Sequence, residues 1–147
     1  MSEPDNDLLA RALGRVGDVL RGKYRLDSVL GVGGMAVVYA ATHRNKKRFA
    51  LKMLHRELSL HPEIRARFLR EGYAANSVEH PDAVAVLDDD VDEDGAAFLV
   101  MELLDGETAE ELSERSGDRL PLAVAVSIGH RVLDVLASAH AHGVVHR

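Results

Sequence analysis

The sequence predicts an α+β fold whose sheet is antiparallel. Three strand-like runs come first, then one helix, then two more strands and two further helices. The strands within each group are joined by short turns, and short connections pair consecutive strands antiparallel, whereas parallel neighbours need long crossovers. An antiparallel sheet of these five strands, with helices between and after them, is the expected architecture.

Each element has a local reason. Within residues 7–20, Leu8, Leu9, Ala12, Leu13, Val16, Val19 and Leu20 recur at helical spacing, with Gly14 and Gly17 as weak points. This helix is expected to pack on its own domain; a partner-binding helix is the alternative. Tyr24–Leu30 and Ala36–Ala40 are rich in strand formers and flank the glycine cluster Gly31-Val32-Gly33-Gly34. After a polar turn over 43–48, Phe49–Leu54 alternates: Phe49, Leu51 and Met53 take one face, and Ala50, Lys52 and Leu54 the other. Pro62 suits a first helical position, and the helix it opens should run to about Asn76. Ala83–Asp88 and Ala97–Leu103 read as two strands joined by an acidic turn ending in Asp94-Gly95. A short helix is expected over 108–116 and a long one over 121–142.

Composition narrows the function classes. The 147 residues are 46% hydrophobic, enough for a packed core, and the formal charge is -6 with no Lys/Arg-rich run. Neither a nucleic-acid footprint nor a polybasic membrane patch is supported. Cysteine is absent, which excludes disulfides and thiolate metal sites and fits a reducing, cytoplasmic setting. The start, Met1-Ser2-Glu3-Pro4-Asp5, lacks the basic and apolar regions of a signal peptide. The most apolar stretch, Leu120 to Ala139, carries His130, Arg131 and Asp134, and a charge at mid-bilayer costs about 2.5–3.5 kcal/mol. It is read as a helix buried in protein, with no membrane segment.

The candidate chemistry begins at the glycines. Gly31-x-Gly33 with Ala36 in the third slot is a degraded G-x-G-x-x-G. A dinucleotide site would need a helix opening directly after the glycines, and strand formers stand there instead. The remaining readings are an ordinary hairpin turn or a glycine flap whose backbone N–H groups approach phosphate oxygens. Lys52 and Glu71 favour the flap. In the 62–76 helix, Ile64, Phe68 and Ala75 form an apolar stripe with Glu71 inside it. A carboxylate there needs a cationic partner, and Lys52 on the adjacent strand could serve both it and a phosphate. The alternative puts Glu71 at the helix edge, reaching water.

Taken together, these stretches resemble the protein kinases, specifically the bacterial eukaryotic-type (Hanks-type) serine/threonine kinases, over about residues 22–147. Leu30 to Tyr39 resembles the family's glycine-rich loop, Phe49-Ala50-Leu51-Lys52 its V-A-I-K strand, and Arg67 to Glu71 the helix that supplies the lysine's partner. His80-Pro81-Asp82-Ala83-Val84 resembles the turn before the fourth strand. Phe98 to Gly106 resembles the fifth strand and hinge, and His140 to Arg147 the approach to the His-Arg-Asp catalytic loop. The division implied is an extension over 1–21, a small lobe over 22–103, and hinge plus the start of a large lobe over 104–147.

The resemblance implies roles. Leu30, Val38 and Ala50 would enclose adenine, with Met101 as gatekeeper; the Glu102 carbonyl and Leu104 N–H would bond its edge. The backbone of Gly31, Val32, Gly33, Gly34 and Met35 would cover the phosphates of ATP, and Lys52, held by Glu71, would contact the α- and β-phosphates. Asp105 or Glu107 would reach the ribose, and His146 would be structural. Arg147 is the last residue, so the aspartate that accepts the substrate proton and the residues that hold Mg²⁺ are not among these positions. ATP binding is therefore expected of this chain, and Mg²⁺-dependent transfer to a protein substrate only of a complete kinase. A non-catalytic, pseudokinase-like interaction module is the alternative. A protein surface is expected to cover the helix over 121–142, which is apolar all round.

Two other patterns are set aside. Asp90 to Gly95 matches the first half of an EF-hand loop, but Met101 stands where the bidentate glutamate belongs. His140, His142 and His146 lack an evident carboxylate to orient their rings around a metal.

Overall fold

The computed structural model describes residues 3–145, with side chains from Asn6 onward. The chain forms two compact units, one running to Tyr73 and resuming over Ala85–Leu103, the other comprising Ala74–Val84 and the residues from Leu104 on.

In the first unit, helix α1 (Glu3–Gly14) precedes strands β1 (Val19–Leu20), β2 (Tyr24–Val32), β3 (Ala36–His43) and β4 (Arg48–Leu54). A single turn α2 (Arg56–Ser59) and helix α3 (Pro62–Ala74) follow, then strands β5 (Val86–Val91) and β6 (Ala97–Glu102). All pairings are antiparallel, in the order β1-β2-β3-β4-β6-β5. The five expected strands are present, and β1 makes a sixth. The expected helix over 7–20 is corrected: it ends at Gly14, because Gly17 turns the chain at φ 100° and its N–H bonds the Leu26 carbonyl. Leu20 is thereby buried as a strand residue at 1% exposure.

Alternation on β4 sends its side chains to two cores, because successive residues of a strand face opposite ways. Leu51 and Met53 join Ala12, Leu20, Leu26, Tyr39, Phe98 and Val100 on one face. Leu54 joins Ala36, Phe68, Val86, Ala97 and Leu99 on the other. Helix α1 belongs to the first face, where the Tyr39 hydroxyl donates to the Ala12 carbonyl. Helix α3 belongs to the second through Phe68. It approaches so closely that a Cβ at Gly72 would lie 2.3 Å from Leu99 Cδ1. The glycine that weakens the helix by propensity is what permits this contact.

Strand β5 begins three residues later than the expected Ala83. The Ala83 N–H closes a turn onto the His80 carbonyl, and ladder pairing starts only where Val86 meets Met101. As the sheet's edge strand, β5 carries Asp88, Asp89 and Asp90, the kind of charge that discourages edge-to-edge pairing.

The second unit holds helices α4 (Ala109–Arg115) and α5 (Leu122–Ala141). Thr108 and Glu111 form a capping box that satisfies donors at the start of α4. His80 Nε2 lies 3.0 Å from Asp134 Oδ2, and Arg131 pairs with Asp82 at 3.0 Å, joining the His80–Ala83 turn to α5. Most of α5 is solvent-facing: Leu122 is 79% exposed and Leu133 67%. Its 20 residues include an 18-residue stretch of mean hydropathy 1.5, long and apolar enough to cross a membrane by length and composition alone.

Candidate functional site

The glycine cluster forms the tip of the β2–β3 hairpin. Gly31 pairs with Val38 and Val32 with Val37, and the Gly33 N–H donates to the Ala36 carbonyl at 2.9 Å to close the tip. The N–H groups of Gly34 and Met35 have no protein acceptor among the described residues. A Cβ at Gly31 or Gly34 would meet nothing within 4 Å, so the backbone there is open to approach. Leu30 and Met35 are about half exposed beside it. Toward α1, Leu8, Leu9 and Leu13 together with residues 29–33 enclose a cleft of about 560 Å³.

The register places Lys52 in a row with this hairpin. Gly31 pairs with Val38, Val38 with Lys52, and Lys52 with Leu99, across four strands. Ala40, Ala50 and Met101 form the adjacent row on the same face. Val38 is half-buried, Ala50 buried, Lys52 exposed and Met101 half-buried. One sheet face therefore offers small and apolar side chains next to an ammonium, at the strand end nearest the glycine tip.

The expected burial of Glu71 against Lys52 is corrected. The Glu71 side chain is 62% exposed, and its ion pair is with Arg67 one helical turn back, at 2.8 Å. The Arg67 hydrogen bond holds the Glu71 carboxyl below its ordinary pKa, and the charges of Arg67, Arg70 and Lys52 add to that. Two physical reasons account for the difference. An exposed same-helix partner spares the carboxylate the desolvation that an inward position would cost. The helix face that meets the sheet is also centred on Phe68 and Gly72, an i,i+4 pair, which leaves Glu71 on its flank.

The remaining expected residues are spread over both units. Glu102 ends β6, pairs with Phe49, and its carboxylate accepts the Ala85 N–H. Leu104 lies in the second unit and is 65% exposed. Glu107 is engaged by Arg115, and Asp105 is exposed. His146 and Arg147 lie outside the described residues. Asp92 is buried: its carboxylate accepts from Arg15 at 2.9 Å, the Ala96 N–H at 2.7 Å and the Asp94 N–H at 3.0 Å. Its oxygens thus serve the hairpin and the segment after α1, a role for which the EF-hand pattern gave no clue. Sequence reasoning also missed His55, whose ring and backbone both contact the glycine tip. A histidine one residue past a strand carries no signal that would have singled it out.

The protein kinase domain model matches residues 24–147. The chain is 38% identical over 138 residues to the serine/threonine-protein kinase PknA of Mycobacterium tuberculosis, covering 90% of this chain and 32% of that protein. It is 39% identical over 127 residues to the serine/threonine-protein kinase Pkn1 of Myxococcus xanthus, covering 86% of this chain and 18% of that one. Among solved structures, the PknI kinase domain of Mycobacterium tuberculosis superposes with a TM-score of 0.67 at 30% identity, over 90% of this chain and 54% of that domain. The chain thus spans between about a fifth and a third of these curated relatives, and about half of a solved kinase domain.

Proposed function

Since this chain belongs to the protein kinase family, within its bacterial serine/threonine branch, we propose that its first unit is the ATP-binding part of such a kinase. The row Gly31–Val38–Lys52 carries the reading, because it aligns an ammonium with a hairpin tip whose Gly34 and Met35 N–H groups have no protein acceptor among the described residues. In this assignment the N–H groups of the tip, within Gly31, Val32, Gly33, Gly34 and Met35, receive phosphate oxygens. Lys52 supplies the point charge for the α- and β-phosphates. Leu30, Val38 and Ala50 contact adenine, Met101 stands behind it, and the Glu102 carbonyl and Leu104 N–H bond its edge. Glu71 supports Lys52 only after leaving Arg67, a rotation an exposed side chain can make at little cost.

Transfer of the γ-phosphate to protein Ser or Thr is proposed for the complete kinase. The family's catalytic base and Mg²⁺-holding residues are not among these 147 positions, and no acidic cluster suited to a metal occurs among the described residues.

The test is titration of the 147-residue chain with a fluorescent ATP analogue, beside the Lys52→Met variant. The wild type should bind, and Lys52→Met should weaken binding by about tenfold or more, the value of a lost charge-assisted contact. The same chain should transfer no phosphate to a generic protein substrate. Equal binding by both proteins would remove Lys52 from the site. A second reading, a non-catalytic nucleotide-binding interaction module, is favoured by the exposed apolar residues of α5. Capture of a defined protein partner by α5, in a complex without kinase activity, would support it.

A further inference from the structure

We propose that His55 is a positioning residue that fixes the orientation of the glycine tip; its bearing on nucleotide rests on the ATP-binding reading above. His55 directly follows β4 and reaches the tip twice. Its backbone N–H donates to the Met35 carbonyl at 2.9 Å, and its ring Nε2 lies 2.8 Å from the Gly33 carbonyl oxygen. A carbonyl only accepts, so Nε2 carries the hydrogen in this contact.

The consequence follows from peptide geometry. No cis peptide occurs among the described residues, and in a planar trans peptide the C=O of one residue and the N–H of the next point in opposite directions. Drawing the Gly33 carbonyl toward His55 therefore turns the Gly34 N–H away from His55. That N–H is one of the two tip donors without a protein acceptor among the described residues. The Met35 carbonyl, held by the His55 backbone, sets the Ala36 N–H in the same way.

The tip needs such a tether. Gly33 and Gly34 are consecutive glycines, the pair whose intervening peptide meets least steric resistance to flipping. Neither takes a left-handed φ that would bias it, and a Cβ on Gly34 would meet nothing within 4 Å. The Gly33 N–H to Ala36 bond fixes the near side of Gly33 but leaves the Gly33–Gly34 plane free. The imidazole is the one side chain among the described residues that hydrogen-bonds this peptide. It sits at the end of the strand that carries Lys52, three residues upstream, so one strand presents both the phosphate charge and the clamp on the phosphate-facing backbone.

Two readouts on the 147-residue chain test this, comparing wild type with His55→Phe and His55→Ala, which lack the donor, and His55→Gln, whose amide restores one. Protection of the Leu51 and Val100 amides serves as the check that each variant is folded. In the first readout, the Gly34 amide order parameter, which reports motion of the Gly33–Gly34 peptide plane, should drop in the Phe and Ala variants and stay near wild type in Gln. In the second, ATP should bind the Phe and Ala variants about three- to tenfold more weakly, the effect of one hydrogen bond, while adenosine is bound equally by all four. An unchanged Gly34 order parameter in both donor-less variants overturns the tether. Loss of adenosine and ATP affinity in equal measure overturns the phosphate-side role. If wild type binds no ATP while the Gly34 order parameter responds as stated, the ATP-binding reading falls and the tether stands.

Discussion

At the scale of single residues, two carboxylates received opposite treatment from the fold. Asp92 has none of its side-chain surface exposed, and three donors converge on it, one of them the Arg15 guanidinium. Arg15 follows α1, so this ion pair joins the start of the chain to the β5–β6 turn. Asp92→Ala leaves the Ala96 and Asp94 N–H groups without their acceptor, while Arg15 keeps Asp18 at 3.2 Å, so it should cost about 1–3 kcal/mol in denaturant unfolding. A change within about 0.5 kcal/mol, typical of an exposed substitution, would contradict that account. Glu71 went the other way, to a solvent-exposed bond with Arg67. Its identity as the lysine's candidate partner was legible from the motif around it, but its orientation was not. Helical spacing cannot say whether a flank residue at i+3 from Phe68 turns toward the sheet when a same-helix arginine competes for it.

Among the elements, α3 and β6 meet through Gly72. Replacement by alanine should gain about 0.5–1 kcal/mol of helix propensity but drive a methyl into Leu99, and overpacking a filled core costs about 1–3 kcal/mol. Leu99 is only 2% exposed and has little room to yield. Gly72→Ala is therefore expected to lower the thermal midpoint by a few degrees; a raised midpoint would show that Leu99 repacks freely. Helix propensity alone counts Gly72 as a weakness, because propensity is local and the approach of a helix to a sheet is not. Elsewhere the elements were readable where a residue physically forces a boundary. Pro62 begins α3, Thr108 caps α4, Pro121 precedes α5, and alternation from Phe49 to Leu54 fixes both faces of β4. They were misread where tertiary pairing decides: α1 stopped at Gly14, β1 formed from the end of the expected helix, β5 slid to Val86, and α2 went unnoticed. The buried Ser59 of α2, whose hydroxyl receives the Ala97 N–H, has no sequence signature.

For the molecule as a whole, the two units differ in how far their apolar surface is covered. The first closes two cores around one sheet. The second presents α5 with Leu122, Val126, Val132 and Leu133 each more than half exposed. Four such side chains on one helix form the kind of contiguous apolar surface that drives association. The 147-residue chain should therefore bind a hydrophobic dye strongly and self-associate with rising concentration in sedimentation experiments. A monodisperse monomer with weak dye binding would contradict this. The candidate site was legible as a set of motifs, and the register then added what motifs lack, the single row that joins Gly31, Val38 and Lys52. The donor status of the tip and the clamp from His55 depend on backbone geometry and could not be read beforehand.

The central claim is that one face of this sheet, beneath the glycine tip, receives ATP. Its most direct test is a backbone amide spectrum of the chain recorded with and without ATP. Shifts are expected at Gly33, Gly34 and Met35 and at Val38, Lys52 and Ala50 in the two neighbouring rows, with Leu26 and Phe98 in the opposite core undisturbed. Shifts confined to that opposite core, or none at saturating ATP, would contradict it.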